Sequence, residues 1–99
     1  MGILVKKHVS NHRMILAVCD ESLLGKIFSD KGMQIDLTGS FYNGKKVDEK
    51  NLIELMAQAQ IINIVGKESM DVGIKAGVVE KKSIIMVKSI PHAQCVKFV

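Results

Sequence analysis

The sequence predicts an α+β fold, a mostly antiparallel sheet of about five strands with two central helices packed on one face. Three observations predict it. Short apolar runs bounded by polar turns fill both ends of the chain, from Ile3 to Leu37 and from Ser83 to Val99. Between them, from Asp48 to Val79, the apolar residues fall at helical spacing instead. The chain has 99 residues of which 47% are hydrophobic. That is material for one core but not two, so residues 1–99 are expected to form a single domain.

Ile3–Val9 reads as a first strand, Ser10–Arg13 as a polar turn and Met14–Cys19 as a second strand. The short connection makes the pair an antiparallel hairpin, and the unbroken apolar run of the second strand predicts burial on both faces. Asp20 reads as the N-cap of one short helix, with Glu21 in its first turn and Leu23, Leu24, Ile27 and Phe28 on one side. Gly25 inside it costs about 1 kcal/mol against alanine. Met33, Ile35 and Leu37 alternate with polar residues, as in a strand with one wet face. The loop from Gly39 to Lys46 carries Phe41 and Tyr42, which are expected to anchor it to the core.

Leu52, Leu55, Met56, Ala59 and Ile62 lie on one helical stripe, with Asp48 placed to cap the first turn. The run Ile61–Val65 has strand-like composition, but Ile62 extends the stripe and no breaker precedes Gly66, so the helix is carried through to that glycine. Met70 and Ile74 mark a second helix, which Gly77 can end. Ser83–Lys88 reads as a strand, Ile90–Ala93 as a bulge, corner or loop around the single proline, and Gln94–Val99 as the last strand.

The net charge is +4 and the sequence pI about 9.2, which permits contact with a polyanion. At 4% aromatic content, base stacking along a single strand is disfavoured. Cys19 and Cys95 stand in apolar runs outside any metal-ligand spacing, and His8, His12 and His92 occupy three unrelated contexts. No metal or other cofactor is therefore expected. No run has the length of a signal peptide or a membrane span, which predicts a cytoplasmic protein with reduced thiols and no membrane partner.

Three stretches carry residues capable of chemistry. At Cys19-Asp20-Glu21 a strand turns into a predicted helix, whose dipole can lower a thiol pKa. The adjacent carboxylates oppose that, and a cysteine ending an apolar strand is more often core. The stretch from Asn63 through Gly66 and Lys67 to Glu68 exposes backbone N–H groups at a helix start, where an anion can be held. Glu68 would repel one, and an ordinary helix corner is the commoner reading. Pro91-His92-Ala93-Gln94 offers an imidazole and an amide from an irregular segment. There a histidine that bonds a backbone carbonyl to close a bulge is the slightly commoner reading.

Five sets of residues resemble those of a small archaeal family catalogued as domain of unknown function 424. They are Ala17–Glu21 with Leu23–Lys26 and Phe28, Phe41-Tyr42 with Gly44 and Asp48-Glu49, Asn63–Gly66 with Glu68, Ala76-Gly77, and Pro91–Gln94. Each motif is weak alone, but the set runs in order along nearly the whole chain. The resemblance implies an archaeal, single-domain, cytosolic protein associated with the translation apparatus, and it brings no established activity.

Together these readings outline a functional patch of Cys19, Asp20, Lys26, Asn63, Gly66, Glu68, His92 and Gln94, with no residue assigned a catalytic role. A binding module for structured RNA or a translation-associated protein would use Lys6, Lys7, Arg13, Lys45, Lys46 and Lys67, and also Lys26. The competing reading is a small enzyme or ligand-binding protein in which Cys19, Asp20, Asn63, Glu68, His92 and Gln94 line one cleft. A third is self-association through an edge strand at Gln94–Val99. The expected state is a monomer or a small homo-oligomer.

Overall fold

The computed structural model describes residues 2–97. It places six strands in one mixed sheet in the order β5-β1-β2-β6-β8-β7, with a separate two-stranded hairpin, β3-β4. β1 (Ile3–Ser10) and β2 (Arg13–Asp20) form the expected antiparallel hairpin. Its two-residue turn, Asn11-His12, has φ of 51° and 64°, the left-handed pair that matches the strand twist. β2 is buried without interruption from Leu16 to Asp20.

The expected helix after β2 is not formed. Glu21–Leu23 makes one 3₁₀ turn, Gly25 takes φ +85°, and the chain enters β3 (Ile27–Asp30), paired with β4 (Met33–Asp36). Leu23, Leu24 and Phe28 do share a side, but they use it to cover the sheet from outside a helix. Lys45 and Lys46, read as loop, lie with Val47 in the edge strand β5 (Lys45–Val47).

The helix α1 (Glu49–Gln58) starts where expected, with the Asn51 N–H donating to Asp48 Oδ1 at 2.8 Å. It stops at Ala59 rather than at Gly66. Ile61–Val65 is the strand β6, parallel to β2 and antiparallel to β8. Five residues are too few for the sequence period to decide between strand and helix; in the fold Ile62 and Ile64 are buried beneath the helices while Ile61 and Asn63 on the opposite face are only half-buried. The central unit is therefore helix–strand–helix, with α2 (Lys67–Lys75) following directly. At its end the Gly77 N–H donates to Ile74 O at 3.0 Å and the Val78 N–H to Gly73 O at 3.1 Å, closing the last turn.

The interruption expected at Ile90–Ala93 lies instead at Lys88-Ser89, with φ of 50° and 65°, between β7 (Ile85–Val87) and β8 (Ile90–Val96). Pro91 and His92 are inside β8. Proline is tolerated there because β6 ends at the Val65–His92 pair. Pro91 O accepts from the Gly66 N–H at 2.9 Å, and Gly66 O is left to take the first helical bond, from the Met70 N–H at 2.9 Å. Of the last strand expected at Gln94–Val99, Phe98 and Val99 lie outside the described residues.

The two faces of the sheet are covered differently. Leu16 and Val18 of β2, Ile62 and Ile64 of β6 and Ala93 of β8 pack with Leu52 and Met56 of α1 and Met70 and Val72 of α2. On the opposite face Leu4, Ala17, Cys19, Val65 and Val87 pack beneath Ile35, Leu37, Tyr42 and Phe28. Among the described residues no helix is long and apolar enough to cross a membrane.

Candidate functional site

The parallel pair β2-β6 brings together the ends of two strands and the start of α2. Asp20 ends β2, Gly66 follows β6, and the Asp20 carboxylate closes the gap. Its Oδ1 accepts from the Ser69 N–H at 2.8 Å and from Ser69 Oγ at 2.7 Å, and Oδ2 accepts from the Glu68 N–H at 3.2 Å. Asp20 makes no side-chain cap for the 3₁₀ turn that follows it. It caps a helix 49 residues away. A local reading cannot see such a cap, and Ser69, its buried partner, was not singled out. The helix start considered as an anion site, with an ordinary corner as the commoner reading, holds the protein's own carboxylate.

Gly66 is required at this junction. Its φ is +112°, and a Cβ placed on it would stand 2.3 Å from Asp20 Cγ. Close approach and backbone conformation both exclude a side chain. Asp20, Gly66 and Glu68 therefore do come together, with the Pro91 carbonyl beside them.

Cys19, Asn63, His92 and Gln94 lie elsewhere. Strand registers place Leu4, Cys19, Val65, His92 and Ile85 on one rung of the second face, and Lys6, Ala17, Asn63 and Gln94 on the next. Glu68 belongs to the helix side, beside Ile3, Glu49 and Lys75. The six residues proposed to share one cleft are thus divided between the two faces.

Cys19 is fully buried with its Sγ 4.0 Å from Tyr42 O. Burial, helped by the Asp20 charge, pushes the thiol pKa up to about 11, so it is not a thiolate nucleophile near neutral pH. Burial, with Cys19 close by, likewise lifts the Tyr42 hydroxyl to about 12. His92 is half-buried, and desolvation lowers its pKa from the ordinary 6.5. Cys95 packs toward the helix side, and both cysteines are free thiols. Among the described residues no group of His, Cys, Asp and Glu could hold a metal ion.

The lysines are gathered in part. β5 pairs with β1 only from Ile3 to Val5, so Lys6–Ser10 continues as an edge without β5. Val5, Lys6, Lys7, Asn43, Gly44 and Lys45 line a cleft of about 530 Å³ at that step, and none of them is acidic. Lys6 Nζ donates to Ser40 O at 2.8 Å, which holds the loop over β1. Arg13 lies at the far end of the hairpin, opposite Ser10. Lys46 is turned to the other end, 3.4 Å from Glu21. Lys67 lines a separate groove between α2 and β7, and Lys26 is exposed on the turn before β3.

One contact was missed by the sequence reading. The His8 and Phe41 rings stack with centroids 4.5 Å apart at 9°, and His8 Nε2 lies 2.9 Å from Phe41 O. Tyr42 is buried as expected, whereas Phe41 is 40% exposed. The alternation of His8 with buried Leu4 on the same face of β1 was the available signal.

Residues 8–98 match the model of the family described as "Protein of unknown function (DUF424)". The chain belongs to that family. A solved structure, the crystal structure of an uncharacterized conserved protein from Methanopyrus kandleri, is similar with a TM-score of 0.80 and 25% identity. The likeness covers 100% of this chain and 96% of that one, consistent with an archaeal family. No functionally curated protein matches the chain. The stretches by which the DUF424 resemblance was drawn include the Asp20–Gly66–Glu68 junction, where their place in the fold is now explained by a helix cap.

Proposed function

We propose that this DUF424 protein is a cytoplasmic RNA-binding module whose phosphate contacts lie along the β1 edge. The observation that carries the reading is the cleft formed by Lys6, Lys7 and Lys45 without an acidic residue in its lining. Lysines gathered in this way raise the local potential and can neutralise phosphates. Arg13 would extend the track along the same hairpin. Lys46, already paired with Glu21, would contribute less. The family resemblance makes RNA of the translation apparatus the first substrate to try.

The test is a titration of the protein against ribosomal RNA at two ionic strengths. Binding should weaken steeply with salt, since each neutralised phosphate releases counterions. Lys7→Glu combined with Lys45→Glu should weaken it and flatten its salt dependence. No association at low salt would remove this function.

A further inference from the structure

We propose that the uncovered half of the second sheet face binds unpaired nucleobases, stacking one on the His8–Phe41 pair and reading another with the Asn63 and Gln94 amides. The proposal rests on the RNA-binding reading above and names the part of the RNA that this face would recognise.

The covering of this face stops partway across it. The rung of Leu4, Cys19 and Val65 is sealed beneath Ile35, Leu37 and Tyr42. Two rungs further on, His8, Ile15 and Ile61 are only half-buried and Val96 is 44% exposed. The rung between changes chemistry: β6 puts Asn63 where its neighbours are Ile and Val, and β8 puts Gln94 directly opposite. Asn63 is half-buried and Gln94 exposed. Among the described residues no hydrogen bond is made to either amide, and no buried side-chain polar atom lacks a partner. Two free amides side by side supply the donors and acceptors that base edges require.

The other parts follow from position. Phe41 is held by its stack on His8 and its edge contact with Tyr42, at 5.0 Å, so its ring is preorganised while still reaching solvent. β1 and β8 are separated by β2 and β6, three strand spacings or about 14 Å, so the stack and the amides can engage different nucleotides of one segment. Lys6 and Arg13 occupy the same face, which matches the charge of a nucleic-acid backbone. The low aromatic content disfavours a chain of stacked bases, but a single exposed π surface is enough for one base.

The experiment compares a labelled single-stranded RNA oligonucleotide of mixed sequence with its duplex, by fluorescence anisotropy at low and moderate salt. Phe41→Leu keeps an apolar side chain and removes the π surface. It should weaken single-strand binding about tenfold, the effect of one stacked base, and leave the salt dependence and the duplex affinity unchanged. Phe41→Tyr should bind as the parent does. Asn63→Ala with Gln94→Ala should narrow the differences in affinity among oligonucleotides of different base composition. Single-strand binding that survives Phe41→Leu and the double amide variant, yet is lost in the Lys7→Glu, Lys45→Glu protein, would overturn the base-binding proposal and leave the phosphate contacts standing. No binding of either RNA would overturn both. Thermal unfolding of each variant separates lost binding from lost structure.

Discussion

The two faces of the sheet carry different amounts of cover, and the difference separates what holds the fold from what is free to bind. On one face two helices seal the central strands completely: Leu16, Val18, Ile62 and Ile64 are inaccessible to solvent. On the other a 3₁₀ turn, a short hairpin and a loop cover one end only. A helix of nine or ten residues spans about 15 Å along its axis and lays a continuous apolar stripe. The β3-β4 hairpin has four residues in each strand and offers Phe28 and Ile35 as inward side chains, joined by Leu37 just after β4. Where that cover ends, the strand residues become polar or half-buried. A surface with fewer constraints from packing can hold residues chosen for contact.

The junction between the faces should be the most sensitive point of all. Gly66→Ala would place a non-glycine residue at φ +112° and drive its Cβ into the Asp20 carboxylate, breaking the cap of α2. Strain of about 1–3 kcal/mol adds to lost charge-assisted hydrogen bonds of similar size, so a loss of about 4 kcal/mol is expected from urea denaturation. Asp20→Ala leaves the glycine conformation intact and should cost less, about 2–3 kcal/mol, by stripping the Ser69 and Glu68 donors of their acceptor. A Gly66→Ala protein as stable as the parent would mean that the junction relaxes freely.

The faces themselves can be compared within single strands. Leu16→Ala empties a fully buried site under α1 and α2 and should cost about 3 kcal/mol. Its neighbour Ile15 points to the open half, and Ile15→Ala should cost about 1 kcal/mol. Equal losses would show that the second face is covered as well as the first.

Much of this contrast could be read from the chain, and the rest could not for identifiable reasons. The first hairpin, the Asp48 cap and the Gly77 stop were legible because each depends on residues within a few positions. β6 has the composition of either element, because four apolar residues around Asn63 are too short a run to fix a period, and Ile62 continues the stripe of α1. The spacing of Leu23, Leu24, Ile27 and Phe28 after Asp20 suits a helix, while the left-handed backbone at Gly25 is silent in the sequence. The Lys88-Ser89 turn has neither the asparagine nor the glycine that usually marks such a pair, so Pro91 drew the corner to itself. Among the candidate residues, Asp20, Gly66 and Glu68 lie together at one helix cap. Their joint purpose depended on a contact 49 residues apart, and Asn63 was grouped with them although it faces away.

His92 sharpens the comparison from the covered end of the second face. Burial holds its folded pKa below 6.5, so the unfolded chain takes up a proton first as the pH falls. Stability contributed by the neutral ring is present above pH 6.5 and is lost as the pH drops from there through the lower folded value. Denaturation at pH 7.5 and 5.5 should show this loss in the parent, and His92→Gln should reduce it. An unchanged difference in the variant would assign the loss to other groups.

The smallest effect is the most informative about the open half. Asn63→Val replaces an amide that makes no described hydrogen bond with a residue of higher strand propensity. If the amide serves binding, its removal should leave stability within about 0.5 kcal/mol of the parent, or raise it slightly. The reason is that a half-buried valine beside Ala17 loses no polar partner and gains cross-strand packing. A structural amide would behave in the opposite way, because its loss would strip a partner from a neighbouring group and cost about 1 kcal/mol or more. Thermal unfolding of Asn63→Val, set beside its affinity for single-stranded RNA, therefore separates the two roles: intact stability with weakened binding assigns Asn63 to the ligand, and weakened stability with intact binding assigns it to the sheet.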